Sequence, residues 1–184
     1  MKSYYSFNIL LNKKVLIFTL FFLLSCDDTN SNEFIETNSN SAPSILQFII
    51  DTKSKEIIDD PKIPATLIIK DSTDTLYNGH IGIELRGSTS QIFFDKKSYG
   101  VETWDQDGNN IDIALAGLPS EEDWILHASH VDKTFIRNSL SYNIWRQLGY
   151  WSSNIKFCEL VLDGDYRGLY MLMEKNKRDN NRVD

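Results

Sequence analysis

The chain has 184 residues, of which 41% are hydrophobic and 12% aromatic, enough for one folded domain with a packed core. Its formal net charge is −7, from 26 acidic and 19 basic residues. This balance argues against nucleic-acid binding, which needs a predominantly positive surface, but it leaves room for a small basic pocket.

The N-terminal segment has the pattern of a secretory signal. Three lysines precede an apolar run at residues 15–24, roughly half the ~20 residues that a membrane-spanning helix requires. The ending Leu-Leu-Ser-Cys resembles a bacterial lipoprotein signal, which implies a lipid on Cys26. We therefore predict a signal peptide at residues 1–26, with an uncleaved anchor as the alternative. The protein is then anchored to a membrane outside the cytoplasm, in the periplasm or at the cell surface.

The next segment and the second cysteine complete this interpretation. Residues 27–43 are rich in Asp, Asn, Ser and Thr, so we predict a disordered polar tether. Cys158 lies in an apolar strand pattern and is predicted to be a buried small hydrophobic residue. If Cys26 is lipidated, no intramolecular disulfide can form.

Strand patterns dominate the folded part, beginning with a leading β region at residues 44–80. Ile81, Ile83 and Leu85 alternate with small or charged residues, which predicts one buried face. In chain order, we predict strands at residues 44–52, 63–71, 75–85, 98–104 and 123–129.

One helix and one hairpin complete the pattern. The helix is predicted at about residues 132–148, with Asp132 as its N-cap and Gly149 as its stop. Its apolar residues recur at helical spacing: Phe135, Ile136, Leu140, Ile144, Trp145 and Leu148. A hairpin turning at residues 163–165 follows. The predicted fold class is α+β, with mostly antiparallel strands and one main helix.

Residues 83–102 concentrate cationic and hydroxyl side chains between two strands. Gly87 would let backbone amides approach an anion, and the neighbouring hydroxyls, Arg86 and the pair Lys96 and Lys97 would add donors and charge. From residue types alone, a solvated hairpin is favoured over a phosphate site. Two histidines, at residues 127 and 130, lack an evident third metal ligand, so we predict structural roles for them.

Five segments carry a resemblance to a known family. They are Arg-Gly-x-x-Ser at 86–90, Phe-x-Lys-Lys-Ser-Tyr at 94–99, Gly-Leu-Pro with acidic residues and Trp at 117–124, Asp-x-x-x-x-Arg-Asn at 132–138, and Gly-x-Tyr-x-Gly-x-Tyr-x-x-x-Glu-Lys at 164–175. In this order they resemble the CotH family, which is named after a spore-coat protein and comprises secreted or coat-associated atypical protein kinases. The resemblance predicts a CotH-like domain at residues 81–184, incomplete at its C-terminus.

The resemblance implies an atypical protein-kinase-like N-terminal portion. In complete form it would bind ATP with a divalent cation such as Mg²⁺ and phosphorylate Ser or Thr of a protein substrate. Lys97 is favoured over Lys96 as the phosphate lysine, with Asp123 or Glu174 as its carboxylate partner. The implied nucleotide-binding residues are Arg86, Gly87, Ser88, Ser90, Lys96, Lys97, Asp123 and Glu174.

The resemblance assigns no catalytic or metal-binding residue, because the family's catalytic and metal-binding acidic residues lie beyond Asp184. We therefore predict weak nucleotide binding and no phosphate transfer by this chain. One alternative is a non-catalytic surface lipoprotein for adhesion or for carbohydrate or envelope binding, using some of the tryptophans at 104, 124, 145 and 151. Another is that the chain does not fold stably, because its last sheet lacks partners.

Overall fold

The computed structural model describes residues 45–177. The predicted signal peptide, the lipidation site at Cys26 and the predicted tether lie outside these residues. No helix formed by residues 45–177 is long and apolar enough to cross a membrane.

Within this range the chain forms seven strands and two helices. The strands are β1 (Leu46–Asp51), β2 (Ile63–Lys70), β3 (Thr75–Arg86), β4 (Ser98–Trp104), β5 (Asp123–His127), β6 (Ile155–Leu162) and β7 (Asp165–Glu174). Helix α1 (Thr89–Phe93) lies between β3 and β4, and helix α2 (Arg137–Gln147) lies between β5 and β6. The strand predictions are confirmed to within a few residues at each end, whereas α1 is an addition to them.

The strands form a closed barrel in the order β1-β2-β3-β4-β5-β7-β6. Neighbouring strands are antiparallel except at the closure, where β1 runs parallel to β6 with Leu46 opposite Cys158. Strand β7 pairs with β5 on one side and with β6 on the other. Strand β7, the last strand that the structure describes, therefore has a partner on each side, whereas one sequence-based alternative was a last sheet without partners.

The predicted fold class is wrong. The structure is mostly strand and closes into a barrel, whereas we predicted a helix-containing α+β portion resembling a protein kinase. The main helix begins at Arg137 instead of Asp132, because Phe135 has a left-handed backbone with φ 59° that ends any helix through it. Closure joins strands that are far apart in the chain, and local periodicity carries no information about such pairing.

Alternate side chains of the strands fill the barrel, as the two-residue period of a strand requires. Fully buried members include Phe48, Ile50, Leu67, Ile69, Ile81, Ile83, Trp124, Leu126 and Leu160. Cys158 is also fully buried, which confirms its prediction, and burial raises the pKa of its thiol to about 12. The thiol is therefore protonated and unreactive at neutral pH.

Helix α2 lies against the barrel with its polar side. Tyr142 packs on Ile125, Met171 and Met173, and the Arg146 guanidinium donates to the Ser153 carbonyl at 2.7 Å. Five of the six apolar residues that predicted the helix are instead 48–64% exposed: Ile136, Leu140, Ile144, Trp145 and Leu148.

Candidate functional site

A cavity of about 360 Å³ opens between the segment joining β3 to β4 and the loop that follows β5. Antiparallel pairing of Arg86 with Ser98 holds the two ends of the first segment together. We call it the basic cavity; its lining includes Arg86, Gly87, Ser90, Phe94, Lys96, Ser98, His127, Ala128, Ser129, His130, Val131, Asp132 and Asn138.

Two cationic side chains give the cavity its charge. Arg86 is exposed at the end of β3, and its guanidinium has no hydrogen bond or ion pair to any residue in the 45–177 range. The Lys96 ammonium donates to the Leu169 carbonyl at 2.6 Å and lies 4.5 Å from the centroid of the Tyr170 ring. Burial lowers the pKa of Lys96.

The loop after β5 supplies a buried hydroxyl. Ser129 is only 5% exposed and has a left-handed backbone with φ 47°. Its Oγ has no hydrogen-bond partner among the residues that the structure describes. A buried hydroxyl without a partner is unfavourable by about 1–3 kcal/mol, so a ligand or water molecule that supplies a partner would stabilise this loop.

Two histidines flank this hydroxyl. Burial, with a smaller contribution from the Arg86 charge, lowers the pKa of His127, so its ring is neutral at pH 7. Its Nε2 lies 3.2 Å from the Asn138 amide nitrogen, and the neutral ring can accept that hydrogen bond. His130 stacks on Phe94 with ring centroids 4.7 Å apart.

One carboxylate, that of Asp132, also lines the cavity. Its Oδ1 accepts hydrogen bonds from the backbone and the hydroxyl of Thr134, and its Oδ2 accepts the Arg137 backbone N–H at 2.9 Å. Asp132 thus ties the loop to the start of α2 and uses its acceptor capacity within the protein. With Asp132 engaged in this way, the cavity presents the positive charges of Arg86 and Lys96 to a ligand.

Gly87 is required by the geometry of the β3–α1 turn. Its φ is +115°, which side chains rarely tolerate, and a Cβ atom there would collide with Ser90 Oγ. Ser88 precedes α1 at the N-cap position, is exposed and makes no side-chain capping bond.

The structure separates the two adjacent lysines. Lys96 lines the cavity, whereas the Lys97 ammonium donates to the carbonyls of Gln91 and Phe94 at 2.7 and 2.6 Å. Lys97 therefore closes the C-terminal end of α1. Of the predicted nucleotide-binding residues, the cavity lining includes Arg86, Gly87, Ser90 and Lys96.

The two predicted carboxylate partners lie at the opposite end of β5 from His127. Burial acts to raise the pKa of Asp123, but Lys177 at 2.8 Å and Lys175 at 3.4 Å outweigh it, and the pKa is lowered. Lys177 also contacts Glu122 at 2.8 Å. We call these four residues (Glu122, Asp123, Lys175 and Lys177) the ion-paired end.

Glu174, the other predicted partner, is buried beside the ion-paired end. Its carboxylate accepts the Asn154 backbone N–H at 2.8 Å. The contacts of both carboxylates thus lie with Lys175, Lys177 and Asn154, away from the pair Lys96 and Lys97.

Sequence reasoning missed Ser129, Asn138 and Phe94 as cavity residues. Ser129 lies two residues after the end of β5, whereas the sequence pattern placed it inside the strand predicted at residues 123–129, so its loop position gave no signal. Its left-handed backbone and its missing hydrogen-bond partner leave no trace in the sequence.

The described residues do not fit the divalent cation that the resemblance implied. Within residues 45–177 no group of three or more His, Cys, Asp or Glu side chains could hold a metal ion. Mg²⁺ prefers oxygen ligands, and the carboxylate in the cavity, Asp132, is already engaged.

Comparison with known proteins supplies the family. A family model described as CotH kinase protein matches residues 83–184, more than half of the chain. The match starts within β3 and includes all of the residues lining the basic cavity. A search of the curated proteins found no match. The resemblance in the five sequence segments is thereby confirmed, and the chain belongs to the CotH family.

Proposed function

We propose that the basic cavity binds the phosphate groups of a nucleotide, with ATP as the ligand that the family suggests. One observation carries the proposal: the Arg86 guanidinium, which has no partner within residues 45–177, the Lys96 ammonium and the buried hydroxyl of Ser129 line the same cavity. A phosphate is an acceptor-rich anion that satisfies all three groups at once.

Each group has a distinct role in this proposal. Arg86 offers a planar fork that binds two phosphate oxygens, and Lys96 offers a point charge held by the Leu169 carbonyl and the Tyr170 ring. Ser129 donates a hydrogen bond from its hydroxyl group to a phosphate oxygen. Gly87 permits the positive φ of the β3–α1 turn, whose backbone would approach the anion.

The proposal is limited to binding. Transfer of phosphate to a protein hydroxyl needs a carboxylate to orient that hydroxyl and groups that hold Mg²⁺. In the described range the cavity offers only Asp132, whose carboxylate accepts hydrogen bonds within its own loop. ATP-dependent phosphorylation of a protein substrate with a divalent cation stays a prediction for the complete form. The absence of phosphate transfer by this chain also stays a prediction.

The proposed setting is the cell envelope, with the protein anchored by a lipid on Cys26. The support is the apolar run at 15–24 ending in Leu-Leu-Ser-Cys. Expression with a labelled fatty acid tests it. We expect label and membrane association in the native chain, and loss of both in Cys26→Ser. Equal labelling of the two would refute the anchor.

Calorimetric titration of the full chain, in a detergent without phosphate, tests the binding proposal. We expect ATP and pyrophosphate to bind, and adenosine, which lacks phosphates, to bind much more weakly. Lys96→Met should weaken pyrophosphate binding by about tenfold, because a charge-assisted contact contributes ~1.5 kcal/mol.

Two matched lysine variants serve as controls. Lys97→Met should weaken binding less than Lys96→Met, because Lys97 bonds to α1 carbonyls outside the cavity lining. Lys70→Met removes an exposed charge from β2 and should leave binding unchanged. Equal effects of all three variants would reduce the site to general electrostatic attraction and refute the proposal.

A further inference from the structure

A second cavity, of about 380 Å³, lies beside the C-terminal half of α2. Three of its lining residues are aromatic: Tyr142, Trp145 and Trp151. The others are polar and uncharged: Ser141, Ser152, Ser153 and Asn176. We call it the aromatic cleft. The part of its lining formed by residues 45–177 carries no charged side chain, in contrast to the basic cavity.

The aromatic cleft presents a fixed indole surface. Trp145 is 48% exposed and stacks on Tyr150, with ring centroids 4.4 Å apart and ring planes at 21°. Trp124, by comparison, is 1% exposed in the core. Stacking restricts the Trp145 side chain before any ligand arrives, so a ligand that uses this surface loses less entropy on binding.

Hydrogen bonds hold the polar wall of the cleft in place. The Ser152 hydroxyl donates to the Tyr142 carbonyl at 2.9 Å, and the Ser153 hydroxyl donates to Asn176 Oδ1 at 2.6 Å. Arg146 donates to the Ser153 carbonyl from α2. These bonds join the loop before β6 to α2 and to the residues after β7, so the cleft is preformed.

Several hydrogen-bonding groups of the cleft are unused. The indole nitrogens of Trp145 and Trp151, the Tyr142 hydroxyl and the Asn176 amide nitrogen have no hydrogen-bond partner within residues 45–177. A purely apolar occupant would leave these groups unsatisfied, which is unfavourable. An anionic occupant would find no cation among the lining residues that the structure describes.

We propose that the aromatic cleft binds a neutral saccharide. The apolar face of a pyranose ring packs on the exposed indole of Trp145, and its hydroxyl groups accept from the unused donors of Trp151, Tyr142 and Asn176. Aromatic surface combined with a few fixed polar groups is the general chemistry of such a pocket. The proposal is independent of phosphate binding in the basic cavity, because the two linings share no residue.

Titration of the full chain with chitotetraose and cellotetraose, two neutral β-1,4-linked tetrasaccharides, tests this proposal. The detergent must lack a sugar headgroup, since such a headgroup would compete. We expect at least one tetrasaccharide to bind, and tetragalacturonate, which carries four carboxylates, to bind more weakly. Trp145→Ala and Asn176→Ala should each weaken binding of the neutral ligand by about tenfold.

The matched control is Tyr166→Ala, which removes a 62% exposed aromatic from the β6–β7 hairpin and should leave the affinity unchanged. Asn176→Ala leaves the side chains of α2 in place but removes the acceptor of the Ser153 hydroxyl, whereas Trp145→Ala leaves that hydrogen bond intact, so the two variants test the cleft in different ways. No binding of either neutral tetrasaccharide at millimolar concentration overturns the proposal. So does an affinity that Trp145→Ala and Asn176→Ala leave intact, or a self-association that Trp145→Ala abolishes without any saccharide binding.

Discussion

The polar groups near the two ends of β5 differ in whether they have partners within the described part of the protein. At the ion-paired end, Asp123 contacts Lys175 and Lys177, and Lys177 in turn contacts Glu122. At the other end, next to His127, the Ser129 hydroxyl is buried without a partner in the described part of the chain. The five-residue strand β5 thus has ion-paired side chains at one end and, near the other, a buried hydroxyl without a described partner.

This difference separates structural charges from charges offered to a ligand. A charge already paired within the protein contributes to folding and has little left for binding. A buried polar group without a partner reduces stability, and it is available to hydrogen-bond with a ligand. The resemblance predicted nucleotide-binding residues at both ends of β5, and the hydrogen bonds distinguish them.

The largest effect is expected at the ion-paired end. Asp123→Asn should lower the free energy of unfolding by about 2 kcal/mol, because it weakens hydrogen bonds between a buried carboxylate and two lysines. Urea denaturation of the full chain measures this loss, and pyrophosphate binding should not change. Asp165→Asn is the control: its carboxylate is exposed and, among the described residues, pairs only with Arg167, so the loss should stay below ~0.5 kcal/mol.

The sign of the pH dependence sharpens this prediction. The folded-state pKa of Asp123 is below its ordinary value of 3.8, so its carboxylate stabilises the fold above that pH. The contribution is lost as the pH falls through the lowered folded-state pKa. The native chain and Asp123→Asn should therefore converge in stability in strong acid, and a constant difference down to pH 2 would contradict this assignment.

A smaller effect of opposite sign is expected at the basic cavity. Ser129→Ala should leave the free energy of unfolding unchanged or raise it by up to ~1 kcal/mol, because it removes a buried hydroxyl without a partner. It should also weaken pyrophosphate binding several-fold. Ser153→Ala is the matched variant, since its equally buried hydroxyl is hydrogen-bonded and its loss should destabilise by about 1 kcal/mol. Equal destabilisation by both variants would mean that Ser129 has a partner.

The smallest effect concerns His127. Burial and the Arg86 charge lower its folded-state pKa below the ordinary 6.5, so the unfolded chain takes up a proton first as the pH falls. Melting temperatures should therefore decline as the pH drops below about 6.5, until the lowered folded-state pKa is passed. His127→Asn should show a shallower decline between pH 7.5 and 5. An unchanged slope would assign the pH dependence to other groups.

The sequence predicted the local elements of the fold and part of the site. Two-residue alternation located the strands, and motif resemblance located Arg86, Gly87, Ser90 and Lys96. It could not identify the parallel closure of β1 on β6, because that pairing depends on the whole chain. It favoured Lys97 over Lys96 as the phosphate lysine, but the surroundings of the two side chains depend on α1, whose terminal carbonyls bind Lys97, whereas Lys96 lines the cavity.

For helix α2, the sequence pattern did not predict the orientation of the helix on the barrel. Its apolar spacing predicted α2 correctly but not which side faces the barrel, because helical spacing carries no direction. Tyr142 and Arg146 contact the barrel and the loop before β6, whereas Leu140 and Ile144 are about half exposed. The same orientation places Trp145 in the aromatic cleft.

Closure of the sheet has a consequence for association between copies. A strand at an open edge presents unpaired N–H and C=O groups that can recruit another chain and begin aggregation. Each of the seven described strands has a neighbour on both sides, so unpaired edges are confined to short stretches: residues 75–79 of β3 pair only with β2, and residues 165–170 of β7 pair only with β6. The exposed apolar residues of α2 offer a second surface for contact between copies, because the barrel leaves them uncovered.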